Sequence, residues 1–441
     1  MPRSARLARV RSPYDGEIVR LALPALGALA AEPLYVLVDT AIVGHLGRAQ
    51  LAALGVAATV LGLFAVFNFL QYGTTAQTAR AVGAGREETA ARLGAQALWL
   101  SLALGAVLAV VLAALAEPVV ALVGAEGRTA SYAVTYLRIA AVGVPSALLA
   151  LGGQGFLRGV ADLRTPLLLV VAGNVANAVL EVVFVYGLDW GIRGSAWGTA
   201  LAQTGMGAGF AWAILRRIGP ERAGLRPALA RRVLSVGVFI LLRTASLVAA
   251  FALVGVVVAH LGDAPLAAHQ IAFQLWLFLA LVLDAIAIAG QIIVGRELGA
   301  DRPERAYEAS ARMIALSVAT GLVFALVLLA LHDALPRAFS ADDAVLDQCA
   351  AVWPLFALMQ PLNGAVFALD GILIGAGDGP YLAASMLAAF AVCAAAVLGS
   401  YEAGWGIRGA WGAIVLLICL RLALLGARFL RRRWLVTGWA T

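Results

Sequence analysis

Runs of roughly 20 to 30 predominantly apolar residues recur along this chain between short polar hinges, and that pattern restricts the fold more than any motif does. A helix needs roughly 20 residues at 1.5 Å rise to cross a hydrocarbon core of about 30 Å, and buried helices of soluble domains need no such length. Apolar residues occupy 62% of the 441 positions and charged residues only 13%, about half the share usual in soluble domains. A water-soluble fold cannot hide that much apolar surface. Spans are predicted near 18–44, 52–79, 95–116, 129–157, 166–188, 193–216, 233–259, 265–294, 307–331, 345–375, 380–402 and 407–430. Strand-and-turn alternation of the barrel kind is absent, and helices in lipid satisfy their own backbone, so the expected class is an all-α polytopic membrane protein of twelve spans.

Arginine placement sets the expected orientation, because short cytoplasmic loops retain basic residues. The N-terminus, the even-numbered hinges and the C-terminus collect most of them, among them Arg3, Arg6, Arg80, Arg86, Arg92, Arg158, Arg216, Arg217, Arg231, Arg232, Arg296, Arg302 and Arg431. The opposite side offers Arg48, Arg128, Arg193, Arg337 and Arg408. Both termini are therefore expected in the cytoplasm, as an even span count requires. The net charge of +7 follows from this topology and from attraction to anionic lipid, and nucleic acid is not an expected partner. The Arg-rich opening from Met1 to Gly16 reads as a short cytoplasmic tail more simply than as a transit peptide. Cys349, Cys393 and Cys419 are odd in number and far apart, which makes them apolar fillers and not a disulfide or metal set.

The second half of the chain repeats the first. His45-Leu46-Gly47 with Leu51-Ala52-Ala53 recurs as His260-Leu261-Gly262 with Leu266-Ala267-Ala268, an offset of 260 − 45 = 215. Trp190-Gly191-Ile192-Arg193-Gly194 recurs as Trp405-Gly406-Ile407-Arg408-Gly409, again 215 apart, and Ala196-Trp197-Gly198 recurs as Ala410-Trp411-Gly412 one residue earlier in register. A period this long is a domain duplication and not a solenoid. The expected organisation is a tail at 1–17, a six-helix lobe at 18–217, a linker at 218–232, a second six-helix lobe at 233–430 and a tail at 431–441. Two halves that enter the membrane from the same side are related by a pseudo-twofold along its normal, one of the standard plans of transporters that alternate access between lobes.

Ionisable residues at bilayer depth cost about 2.5–3.5 kcal/mol on insertion scales, so each is a functional candidate. Glu32, Tyr35 and Asp39 share one face of the first span, and Asn174, Asn177 and Glu181 form a stripe on the fifth. The second span carries Asn68, Gln71, Thr75 and Thr78 at spacings of three, four and three. Counted at 1.5 Å per residue from the outer ends, Asp39 and Glu181 lie roughly 8 and 10 Å deep, which makes the pair a candidate proton or sodium site. The competing reading is a pair that only fastens helices. In the second half, Arg243 and Asp284 both lie roughly 15 Å deep and are expected to pair, while Asp370 continues a stripe with Asn363 and Gln360. Arg138 shows no obvious partner, the repeat-equivalent His45 and His260 read as helix-end caps, and His269 is the one histidine with a candidate place at the substrate. Signatures of hydrolases, zinc enzymes and P-loop ATPases are absent, so no enzyme activity and no cofactor is expected, and transport has to run on an ion gradient or downhill.

In this order and at these spans, the residues resemble the multidrug and toxic compound extrusion (MATE) family, and within it the DinF-like branch. The resemblance runs from Pro24, at the place of that family's bending proline, through Val38-Asp39-Thr40-Ala41, Gly44-His45-Leu46-Gly47, Gly173-Asn174, Asn177 and Glu181, to Leu283-Asp284-Ala285 and Leu369-Asp370-Gly371. Glu181 stands where the family often has Asp. The resemblance implies a V-shaped pair of lobes in a bacterial cytoplasmic membrane that exports amphipathic or cationic small molecules. Protons or sodium would be the coupling ion at Asp39, Asn177 and Glu181, with no obligate protein partner. Arg243 stands where the sodium-coupled branch has an acid, which favours protons. Citrate-like organic anions and lipid-linked oligosaccharides remain alternative cargoes. The major facilitator class lacks support, because Gly83-Ala84-Gly85-Arg86-Glu87-Glu88 is not its loop signature, and a duplicated bundle with buried acids argues against a non-transporting scaffold.

Overall fold

The computed structural model describes residues 12–438, so part of each expected tail lies outside the described residues. It contains helices and no strand among the described residues. Among the described residues ten helices are long and apolar enough to cross a membrane, and a bent pair makes an eleventh. The remaining long helix, Ile192–Ile218, spans 27 residues but is less apolar, because it carries Ser195, Thr199, Gln203 and Thr204 together with glycines. The site described below accounts for Ser195 and Thr199, while Thr204 bonds the Ala200 carbonyl of its own helix.

The twelve spans are Asp15–Gly44, Arg48–Gly83, Glu87–Leu122, Gly127–Gly159, Arg164–Gly187, Ile192–Ile218, Pro227–Ala259, Asp263–Gly299, Pro303–Ala330, the bent pair Asp343–Leu358 and Gln360–Gly375, Gly379–Glu402, and Gly406–Leu430. Each predicted span is present, and most extend further than predicted at the ends, because charged first turns such as Glu87-Glu88 continue the helix beyond its apolar stretch. Three spans are broken. The second tightens to a 3-10 turn at Leu63–Asn68, the fifth ends in a π turn at Val183–Gly187, and the tenth bends by 49° at Met359. Pro361 causes the last, since proline lacks the N–H that would continue the ladder and its ring crowds the preceding turn.

Gly27–Gly237 forms one compact unit, and the described residues up to Leu26 with those from Val238 onward form the other. The chain therefore changes units inside helices, once in the first span and once in the seventh. In the second unit the start of the first span is held by ion pairs, Asp15 with Arg312 at 2.7 Å and Glu17 with Arg296 at 2.7 Å. In the first unit the linker is pinned to the third span: Gln96 accepts from the Arg226 amide at 2.8 Å, and Trp99 Nε1 donates to the Ala223 carbonyl at 2.7 Å.

Within each unit the same local devices recur, which gives the sequence repeat its structural meaning. Positive φ appears at Gly47 (125°) and Gly262 (115°), and at Asp189 (56°) and Gly404 (70°). His45 and His260 each place Nδ1 on the carbonyl four residues back, at 2.7 and 2.8 Å. Glycine also sets the helix crossings. A Cβ at Gly159 would lie 2.9 Å from the Thr75 carbonyl oxygen, and one at Gly375, 216 residues later, would lie 2.6 Å from that of Gln291, also 216 later. Lipid tails are as apolar as Leu, so close backbone approach over small residues is what holds such helices together. The apolar interior of the second unit centres on Trp411, Trp353, Phe356 and Trp276, and that of the first on Phe156, Phe210 and Ile214.

Candidate functional site

In the first unit, polar side chains from four spans converge at one place. Asp39 of the first span is 6% exposed and Glu181 of the fifth is fully buried. The sixth span brings Ser195 and Thr199, one turn apart on one face. Ser195 Oγ donates to Asp39 Oδ1 at 2.9 Å and lies 3.5 Å from Glu181 Oε1. A hydroxyl has one proton, so it serves one carboxyl at a time. Thr199 Oγ1 donates to Glu181 Oε1 at 3.2 Å. Around Thr199 Oγ1 itself stand Asn177 Nδ2 at 3.2 Å, the Tyr35 hydroxyl at 3.2 Å and the Tyr136 hydroxyl at 3.4 Å. The Asn177 amide donates to this threonine oxygen, and two tyrosine hydroxyls crowd it from other sides.

Local sequence explains how these groups meet. Gly194 and Gly198 stand four apart on the sixth span, and a Cβ at Gly198 would lie 2.8 Å from Glu181 Cγ and 3.1 Å from its backbone nitrogen. The two helices therefore touch through glycine, which places the intervening Ser195 beside both acids. Glu181 closes the α-helical part of its span just before the π turn, and such turns are frequent at functional sites. Among the described residues no basic side chain pairs with Asp39 or Glu181. Glu181 Oε2 and Asn177 Oδ1 are sealed from solvent without a donor. Two carboxyls joined through one serine, with acceptor oxygens to spare, are suited to hold a proton or a small cation.

The close contact at Gly198 gives a prediction. Gly198→Ala pushes a methyl against Glu181 Cγ and displaces the carboxyl, so any transport that depends on this carboxyl should fall on the order of tenfold with the fold retained. Flux at equal protein level, read beside a melting curve, checks it; unchanged flux would mean that the position of Glu181 is not limiting.

The other sequence candidates are placed as follows. Asn174 Nδ2 donates to the Ala31 carbonyl at 2.9 Å and ties the fifth span to the first without joining the cluster. Glu32 is exposed and lies two turns from Asp39, outside the hydrogen-bonded group. Gln71 bonds Gln154 at 3.1 Å, to which Arg158 also reaches at 3.4 Å, and Asn68 sits at the junction of the 3-10 turn with Phe69–Gly83. Arg138 has a partner after all, Glu117 at 2.9 Å, on an exposed face. His269 is packed between Phe273 and Trp411 in the core of the second unit.

In the second unit one expectation is corrected. Arg243 pairs with Asp370 and not with Asp284: Nη2 meets Oδ2, and Nε lies 3.3 Å from Oδ1. Equal depth fixes height along the membrane normal and says nothing of direction around the helix, and the guanidinium of Arg243 faces the tenth span. Arg421 of the twelfth span joins the same carboxylate, with Nη2 3.4 Å from Asp370 Oδ1. Asn363 is buried one helical stretch before Asp370, 3.4 Å from Gln360 Oε1, and Asp284 is half-buried on the eighth span.

Sequence reasoning missed Ser195, Thr199, Tyr136 and Arg421. A signal for Ser195 was present, since it is the one extra residue that shifts the repeat register from 215 to 214. Arg421 is ionisable within an apolar stretch, the property that singled out Arg243.

Long apolar helices in two duplicated units, one of them enclosing uncompensated carboxyls, define a polytopic protein of the membrane-transporter class. The MatE family model matches residues 24–183 and 230–398, and the chain belongs to that family. It is 31% identical over 420 residues to Protein DETOXIFICATION 44, chloroplastic, of Arabidopsis thaliana, covering 92% of this chain and 80% of that protein. It is 30% identical over 435 residues to DNA damage-inducible protein F of Escherichia coli strain K12, covering 96% and 94%. Among solved structures, an outward-facing conformation of a multidrug resistance MATE family transporter of the MOP superfamily superposes with a TM-score of 0.86 at 22% identity, covering 98% of this chain and 99% of that one. That likeness concerns the fold.

Proposed function

We propose that this chain is a secondary antiporter of a bacterial cytoplasmic membrane, with both termini inside, that exports amphipathic and cationic organic compounds in exchange for protons or sodium. The lobes at 18–217 and 233–430 alternate access, and the coupling cation binds at Asp39 and Glu181, with Asn177 as partner. The observation that carries the reading is the Ser195 hydroxyl shared between two buried carboxyls that have no basic partner. A structural fastening would be better served by neutral groups, because burying two acids together is costly unless a cation attends them. Tyr35, Asn68, Gln71 and Asn174 then supply polar contacts on the substrate side of the first lobe, and Glu32 adds a further acid to the cation-coupling set. The coupling ion carries the energetics, and no cofactor takes part.

The test is flux in proteoliposomes under an imposed proton or sodium gradient, with a panel of organic cations. Uptake into inside-out vesicles that follows the gradient and collapses with an ionophore is the expected result. Flux of every compound at the rate of protein-free vesicles, under both gradients, would overturn it.

A further inference from the structure

The twelfth span carries an arginine that its surroundings do not neutralise. Arg421 is 4% exposed and stands nine residues before Leu430, roughly 13 Å from that helix end. The charged groups that act on it are Asp370 and Arg243. Asp370 has two oxygens, and the fork of Arg243 engages both, Nη2 on Oδ2 and Nε on Oδ1. What is left for Arg421 is a single long approach, Nη2 at 3.4 Å from Oδ1, and no hydrogen bond from it to another described residue is present. A guanidinium presents five N–H donors in a fixed planar fork, so most of this buried group's capacity is unused. Two guanidiniums on one carboxylate also leave one positive charge in excess.

We propose that Arg421, together with Arg243 and Asp370, forms an anion site in the second unit that takes the carboxylate or phosphate group of an amphipathic substrate. The oxygens of such a group accept from the free edge of Arg421 and compete with Asp370 for Arg243. Arginine at both positions suits that ligand, because its planar fork matches carboxylate and phosphate in a two-point contact that lysine cannot make. A charge in excess within a low-dielectric interior is costly alone and favourable once an anion arrives, which makes the site selective for charge as well as shape. The substrate range then extends to compounds bearing an acidic group. The proposal rests on the export reading for what the ligand is for, and not for whether it binds.

The competing account is a structural bridge that ties the seventh, tenth and twelfth spans together. The two differ in what removal of Arg421 does to the empty protein. A bridge loses stability, whereas relief of an excess charge leaves the melting temperature unchanged or raises it. The experiment is thermal unfolding of the full chain in neutral detergent, without any gradient, so its outcome is independent of the flux assay. The probes are naphthoate, naphthyl phosphate and naphthylmethylammonium, which share a ring and differ in charge, with phosphatidylglycerol as a separate lipid arm. The two anions should raise the melting temperature of the wild type. Arg421→Met should melt no lower than wild type and bind the anions at least tenfold more weakly, with Arg421→Lys in between, while the naphthylmethylammonium response is the same in all three. An anion response that survives Arg421→Met overturns the proposal, as does an empty Arg421→Met protein that melts well below wild type or fails to fold. An Arg421-dependent response to phosphatidylglycerol alone overturns the assignment to a substrate.

Discussion

Asp39→Asn is expected to abolish cation-coupled export while leaving the protein folded and inserted. Asparagine keeps the shape of the side chain and its Oδ1, so the 2.9 Å hydrogen bond from Ser195 survives, and only the capacity to carry charge is lost. A ligand biases two conformations only through its differential affinity for them, and a permanently neutral residue offers the coupling ion no such difference. Drug-stimulated proton efflux from acid-loaded vesicles should therefore fall to the level of protein-free vesicles at equal protein content. Two variants at the neighbouring acid calibrate this result. Glu181→Gln should lose most of the activity, because it leaves Asp39 without the second carboxyl across Ser195. Glu181→Asp keeps the charge on a shorter arm and should retain at least part of it. Proton exchange at the wild-type rate in Asp39→Asn would place the coupling site elsewhere, with Asp284 and Asp370 as the next candidates.

The acids were legible in the sequence because the bilayer makes them so. A carboxyl in an apolar run stands out against its neighbours, and helical spacing alone placed Asp39 with Tyr35 and Glu181 with Asn177. The groups that complete the site were not legible in that way. Ser195, Thr199 and Tyr136 are uncharged, and serine or threonine in a membrane helix satisfies itself on its own backbone so often, as Thr40 and Thr204 do here, that type and position do not separate the two uses. Only the approach of the sixth span over Gly194 and Gly198 shows which hydroxyls face the acids. The twelve spans were readable from length and hydropathy, but their breaks were not. The unit division within the first and seventh helices was also hidden, since it depends on which neighbours a helix end contacts and not on its composition. The second unit teaches the same lesson with charge: depth predicted that Arg243 meets an acid, and only direction around the helix decided that the acid is Asp370.

Asp370→Asn is expected to cause the larger loss of stability. Asp370 is the shared acid of two guanidiniums, both largely withdrawn from solvent, with side-chain exposures of 13% for Arg243 and 5% for Arg421. Removing one member of a buried ion pair leaves its partner's desolvation uncompensated, which costs about 3–5 kcal/mol. Here two partners are stranded, and they also repel each other. The asparagine side chain still offers one oxygen, so Arg243 keeps part of its hydrogen bonding and the loss falls short of twice that figure. Thermal unfolding in detergent should show a large drop in melting temperature, and the double variant Asp370→Asn with Arg421→Met should recover part of it, because one of the stranded charges is then gone. Simple additivity in that cycle would mean that the two residues do not share an interaction. A melting temperature for Asp370→Asn within about 1 °C of wild type would show that water or lipid phosphate already satisfies both arginines.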